Sequence, residues 1–209
     1  MLRNNLRESY DKHAQERESI AVQEWKIEER SKFLSFLHQK NGKKLLEIGA
    51  GTGRDSKYFQ EQGFEVVCID LSPAMIELCR QKGLTAYVMD MNDIDFPDNS
   101  FDAVYSLNSF LHLTKDEFPE ILHRISTLIR TDGVFYIGIY GGYDFEGIWD
   151  KDSYIPKRFF SFFSDEHLEH EVEKVCDILA FNRVFFEPDN PIHFQSLVLR
   201  KKHSKQKAG

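Results

Sequence analysis

Lys43-Lys44-Leu45-Leu46-Glu47-Ile48-Gly49-Ala50-Gly51-Thr52-Gly53-Arg54-Asp55 is the stretch whose reading decides the fold. Leu45, Leu46 and Ile48 make the short apolar run of a strand buried on both faces, and three alternate glycines then break it. Glycine at a turn permits positive φ and lets a ligand approach the backbone where a Cβ would collide. The helix that follows offers free N–H groups at its start. The spacing therefore predicts a ligand-binding turn at the carboxyl end of a buried strand.

The same spacing narrows the ligand. A dinucleotide fingerprint needs G-x-G-x-x-G, but from Gly49 its last position falls on Arg54 and from Gly51 on Ser56. A phosphate loop needs G-x-x-x-x-G-K followed by Ser or Thr, and the chain contains no such string. What stands is E-x-G-x-G-x-G with the acid inside the strand. Leu45-Leu46-Glu47-Ile48-Gly49-Ala50-Gly51-Thr52-Gly53 resembles the first motif of class I S-adenosylmethionine-dependent methyltransferases.

Outward from the turn, strand and helix patterns alternate. Phe64 to Asp70, Thr85 to Asp90, Phe101 to Leu107 and Val134 to Tyr140 read as further strands. Between them lie helical stretches from about 54 to 62, from the Ser72 cap and Pro73 to Gly83, and through Phe118, Ile121, Leu122, Ile125, Leu128 and Ile129. Thr114 to Glu117 has capping-box spacing and competes with Asp116 as the start of the last of these. Ser164 caps one more helix, to about 175, and Ile178 to Glu187 and His193 to Arg200 form a hairpin around Pro188-Asp189-Asn190-Pro191. The expected fold class is α/β: a doubly wound seven-stranded sheet, mostly parallel with a C-terminal antiparallel hairpin, helices on both faces. The seven strands also match the sheet of the resembled family.

Two helices, over 5 to 18 and about 21 to 40, precede the first strand; the second carries Trp25, Phe33, Phe36 and Leu37 and stops at Asn41-Gly42. The resemblance makes these helices a lid (1–42), so the expected organisation is that helical lid, a cofactor-binding domain (43–202) with a substrate-loop insertion (141–163), and a disordered basic tail (203–209). The resemblance implies S-adenosylmethionine as cofactor, S-adenosylhomocysteine as product, and no metal. It places the cofactor against Glu47, Gly49, Ala50 and Gly51, against Asp70 and Leu71, against Asp90 and Met91, and against Leu107. Asp70 lies 17 residues beyond Gly53, where a carboxylate accepts from ribose hydroxyls and repels a phosphorylated ribose. The resemblance makes Asp90 an acceptor for the adenine amino group; otherwise it caps a loop. Tyr10, in the Tyr-Asp-x-x-Ala string of the lid, either touches the methionine part of the cofactor or packs one helix on another. Glu47 either orients the turn or meets the cofactor's amino group or its water.

The acceptor should meet the cofactor beyond the fourth strand, outside the carboxyl ends of the sheet. Asn108-Ser109-Phe110-Leu111 lacks the Pro-Pro string of many methyltransferases acting on nucleic-acid bases or glutamine, and no cysteine stands there as for cytosine C5 enzymes. The glycine-punctuated, aromatic segment from Gly141 to Phe160 has no single period and reads as a long functional loop, the leading candidate for the acceptor pocket, or as a cover for the sheet. His112, Tyr140, Tyr143 and Trp149 are the pocket candidates. His112 is the candidate general base, or a packed residue.

Composition bounds the partners. The net charge is −7, and because Arg200, Lys201, Lys202, Lys205 and Lys207 supply five positive charges, the rest of the chain carries −12. An acidic body disfavours a phosphate-backbone partner, so no nucleic acid is expected. Cys68, Cys79 and Cys176 are odd in number and widely spaced, as in a reduced cytoplasmic protein. No run of about 18 apolar residues occurs, so no membrane span is expected. The reading is a methyltransferase with a small-molecule acceptor. The alternatives are a binder of the cofactor or its product without transfer, an RNA or protein methyltransferase, and a nicotinamide-dependent oxidoreductase.

Overall fold

The computed structural model describes residues 2–40 and 42–202; the expected tail (203–209) and Asn41 of the expected helix stop lie outside them. Two helices, α1 (Leu2–Ser19) and α2 (Glu24–His38), lead into β1 (Lys44–Ile48), followed by α3 (Arg54–Glu61), β2 (Glu65–Asp70), α4 (Pro73–Gln81), β3 (Thr85–Val88) and β4 (Phe101–Leu107). Then come α5 (Glu117–Leu128), β5 (Ile129–Gly141), β6 (Phe145–Ile148), β7 (Phe159–Phe162), α6 (Asp165–Glu173), β8 (Cys176–Phe185) and β9 (His193–Lys201). The main sheet has seven strands in the order β3-β2-β1-β4-β5-β9-β8, parallel from β3 to β5 and antiparallel at β9 and β8. The expected fold class is the observed one.

Period-2 alternation divides the core between two faces. Leu46 of β1, Val104 of β4 and Phe135 and Ile137 of β5 pack with α5 and α6 on one side. Leu45, Tyr105, Val134 and Tyr136 pack on the other with Phe33 and Leu37 of α2, Phe59 of α3 and Ile76 of α4. α2 is therefore part of the core rather than a detachable cover. Its Glu29, 1% exposed, takes the Lys32 ammonium at 2.6 Å and the hydroxyls of Ser196 and Tyr136. α1 is less committed: it rests Ala14 on Met75 and Leu78 of α4.

Two local expectations change, and one open boundary is settled. β5 begins at Ile129, directly after α5, rather than at Val134; Asp132 (φ +66°) and Gly133 turn within a bulge, so that Phe101 pairs with Ile129 and Ala103 with Val134. The aperiodic segment after β5 is partly a hairpin, with Phe145 opposite Phe162 and Ile148 opposite Phe159. Gly147 and the ten residues between its strands hide its period. At α5, Thr114 Oγ1 accepts from the Glu117 N–H (3.2 Å) while Glu117 Oε2 accepts from the Thr114 N–H (2.8 Å). These reciprocal bonds have the capping-box pattern but lie ahead of α5, whose N-cap is Asp116, so Pro119 falls in the first turn, where its missing N–H costs nothing.

Phe33 couples α2 to the sheet through ring contacts with Phe59, Tyr105 and Tyr136 and is fully buried. Phe33→Ala is expected to cost about 3–5 kcal/mol, read as a lower urea midpoint at unchanged slope.

Candidate functional site

Beyond the carboxyl ends of β1, β2 and β4 lie two adjoining cavities of about 300 Å³ each and a third of about 40 Å³. The turn after β1 separates them. Gly49 (φ +70°) and Gly51 (φ +53°) adopt the left-handed conformation, and a Cβ on Gly51 would meet nothing within 4 Å, so its open side faces the cavity. Gly53 differs: a Cβ there would lie 2.8 Å from Cys79 Sγ and Leu84 Cδ1, so that glycine serves the packing of α3 against α4.

Asp70 holds the turn from the end of β2. Its Oδ2 accepts from the Gly51 N–H and its Oδ1 from the Ser72 N–H, at 2.8 and 2.9 Å. Burial raises its pKa against those two hydrogen bonds. Each oxygen keeps a lone pair for a hydroxyl donor. Glu47 lies behind the turn, buried, with the Ser56 hydroxyl donating to it and the Cys68 thiol donating to Ser56 at 2.9 Å. Burial, then the field of Asp55, pushes the Glu47 pKa well above the ordinary carboxylate range. Asp55 itself is taken by Arg30 at 2.8 Å.

α1 and the β6–β7 hairpin close the first cavity. Phe159 O lies 2.7 Å from His112 Nδ1, so Nδ1 carries the proton and donates; Nε2 is then the acceptor for the Tyr10 hydroxyl, also at 2.7 Å. Arg158 Nη1 donates to the same phenol oxygen at 3.1 Å while Asp152 holds the other side of its guanidinium at 2.7 Å. Burial pushes the His112 pKa down to about 3, with the fields of Arg158 and Arg17 acting in the same direction against the Phe159 hydrogen bond. Burial raises the Tyr10 pKa, so phenol and imidazole are both neutral.

Tyr10, Gly49, Gly51, Asp70, Leu71, Met91, Leu107, His112 and Tyr140 of the expected set line the first cavity. Glu47 and Ala50 line the second, and Asp90 the third. Asp90 Oδ1 takes Arg3 of α1 at 2.6 Å and the Asn92 N–H at 2.9 Å. Tyr143 and Trp149 line none of these three cavities; they pack on Phe162, Trp149 also on Phe145. The cavities also hold residues that sequence reading did not assign: Arg17, Lys26, Asn108 and Arg158. Asn108 carries a signal of its own kind, a positive φ of 59° for a non-glycine residue, and its buried Oδ1 has no hydrogen-bond partner. Among the described residues no group of three or more His, Cys, Asp or Glu side chains is placed to hold a metal ion, and no helix is long and apolar enough to cross a membrane.

Residues 45–133 match the methyltransferase-domain family. An uncharacterized methyltransferase of Geobacillus thermodenitrificans is 30% identical over 71% of this chain and 70% of its own length. A phosphoethanolamine N-methyltransferase of Plasmodium falciparum is 26% identical over 74% of this chain, which spans only 58% of that protein. Among solved structures, the Burkholderia thailandensis 1,6-didemethyltoxoflavin-N1-methyltransferase, with 1,6-didemethyltoxoflavin and S-adenosylhomocysteine bound, superposes with a TM-score of 0.76 over 96% of this chain and 88% of that one, at 23% identity.

The hydrogen bonds around His112 set its titration. The unfolded chain takes up that proton near 6.5 and the folded one near 3, so this contribution to stability is complete above about 6.5 and is lost as pH falls toward 3. Nitrogen-15 NMR of the imidazole is expected to show a neutral Nδ1–H tautomer with no titration from pH 8 to about 5; a midpoint near 6.5 would refute the buried hydrogen-bonded arrangement.

Proposed function

We propose that this chain, which belongs to the class I S-adenosylmethionine-dependent methyltransferases, methylates a small-molecule acceptor at nitrogen. The observation that carries the reading is the first cavity. It joins the open side of Gly51 and the Asp70 carboxylate to the Tyr10–His112 pair and to the unpartnered Oδ1 of Asn108. A cavity of about 300 Å³ suits a metabolite and excludes a polymer from its interior. Both the Plasmodium and the Burkholderia proteins are named as N-methyltransferases of small molecules.

The residues fit the cofactor. Asp70 would accept from the ribose hydroxyls, Asp90 and the Met91 backbone would take the adenine after Arg3 yields, and Gly49 to Gly51 would lie along the amino-acid end. S-adenosylmethionine, when bound, supplies an electrophilic methyl on a sulfonium that departs as a neutral thioether. The remaining task is alignment and exclusion of water, which α1 and the hairpin perform by roofing the cavity. Asn108 Oδ1 accepts from an acceptor N–H and aims its lone pair. Tyr10, its proton committed to His112 Nε2, turns an oxygen lone pair to the same space. An imidazole held at about 3 is too weak a base for an ammonium, so His112 serves by fixing Tyr10 and the acceptor reacts as the neutral amine.

Calorimetric titration with S-adenosylmethionine, S-adenosylhomocysteine and NAD, then a screen of amine acceptors including phosphoethanolamine, tests this reading. Micromolar binding of the two adenosyl compounds and none of NAD is expected; binding without turnover of any acceptor would leave a cofactor-binding protein. Asp70→Ala removes a charged acceptor worth about 1.5–3 kcal/mol, a loss of roughly ten- to a hundredfold in S-adenosylhomocysteine affinity. Gly51→Ala should lose about tenfold or more, by a methyl in the ligand's space, while the left-handed backbone costs about 1 kcal/mol of stability. Unchanged affinity in both variants would overturn the placement of the cofactor.

A further inference from the structure

We propose that Arg17 and Lys26 form an oxyanion-binding pair at the seam of the two larger cavities, a pair with no carboxylate in ion-pair contact among the described residues. Both residues line both cavities, one from α1 and the other from α2. The other cations at the three cavities are paired: Arg3 with Asp90 at 2.6 Å, Arg54 with Glu18 at 3.7 Å, and Arg158 with Asp152 at 2.7 Å. Among the described residues no carboxylate stands within ion-pair distance of Arg17 or Lys26. Arg17 donates only a long 3.3 Å hydrogen bond to the Tyr154 hydroxyl and stands over the Tyr10 ring at 5.3 Å; Lys26 stands over Trp25 at 5.3 Å.

The neighbouring acids act on the pair only through space: Asp55, whose field raises the Lys26 pKa, is engaged by Arg30 at 2.8 Å, and Asp70, which feels the field of Arg17, is held by the Gly51 and Ser72 N–H groups. Burial lowers the Lys26 pKa, and the field of Arg17 lowers it further. Two like charges half-withdrawn from water, with hydrogen-bond donors unspent, are a costly arrangement for an empty fold and a favourable one for an anion. A guanidinium fork beside an ammonium suits a carboxylate or a phosphate, the first by paired N–H donors and the second as a point charge. The chain is acidic overall, so this pair is a local choice and not a reflection of composition.

Which molecule brings the oxyanion rests on the methyltransferase reading: the α-carboxylate of the cofactor's amino-acid end, or an acid group on the acceptor. Calorimetry on the wild-type chain, Arg17→Gln and Lys26→Gln separates the two, with S-adenosylhomocysteine, with 5′-methylthioadenosine, which lacks the amino-acid end, and with inorganic phosphate added to the S-adenosylhomocysteine-loaded protein. If the cofactor supplies the carboxylate, each variant weakens S-adenosylhomocysteine by about tenfold and leaves 5′-methylthioadenosine unchanged. If the acceptor supplies it, S-adenosylhomocysteine affinity holds, phosphate binds the loaded wild type, and each variant loses that binding, with Arg17→Lys restoring part of it. The pair is overturned if neither S-adenosylhomocysteine nor phosphate distinguishes wild type from variants. A wild-type chain that takes phosphate through these residues but neither adenosyl compound would overturn the methyltransferase reading and leave the pair standing. Retained 5′-methylthioadenosine binding shows that a variant is folded, so loss of S-adenosylhomocysteine or phosphate binding beside it reports on the pair and not on misfolding.

Discussion

Two backbone N–H groups converge on one carboxylate, and the site depends on it. Gly51 from the turn after β1 and Ser72 from the start of α4 both donate to Asp70. Three segments of the parallel sheet's switch point are thereby held in one geometry before any ligand arrives. α1 joins the same knot, since Asp11 accepts from the Ser72 hydroxyl at 2.5 Å and from the Ala74 N–H at 3.1 Å. Burial opposes ionisation of Asp70, while the hydrogen bonds favour it. A carboxylate so placed is preorganised to accept, which is the quality a ribose site needs.

The roof is made differently, from aromatic stacking and one buried ion pair. His13 stacks on Tyr154 at 3.8 Å, and the Arg158 guanidinium lies 3.9 Å from the Tyr154 ring while Asp152, nearly inaccessible, holds it. A buried pair of this kind adds little net stability, but losing one partner is costly, so it favours one arrangement of the hairpin over others. That arrangement carries Phe159 O to His112 and Arg158 to Tyr10. α1 contributes few core residues beyond Ala14. Its hold on the rest of the chain is largely polar, which suits an element that must admit a ligand.

Much of this was legible in the residues because it is local. The turn after β1 needs glycine where φ is positive, β1, β2, β4 and β5 announce themselves as apolar runs, and Asp70 and Asp90 follow strands at the distances a βαβ unit dictates. Periodicity failed where it was interrupted. Gly147 and a ten-residue connection concealed the β6–β7 hairpin, and the bulge at Asp132-Gly133 concealed the first part of β5. Tyr143 and Trp149 were legible as aromatic, but not as members of a cluster packed on Phe162.

Read alone, the chain settles its class, the succession of strands and helices along it and the end of the sheet at which a ligand lies, because each follows from local spacing. Packing settles which charges meet. Arg17, Lys26 and Arg158 come from α1, α2 and the β6–β7 connection, and no local rule relates them. Their convergence, and the pairing of Arg158 with Asp152 but of Arg17 and Lys26 with no carboxylate among the described residues, depend on how two helices and a hairpin close over the sheet. That closure is a property of long-range contacts, which a linear sequence encodes without displaying.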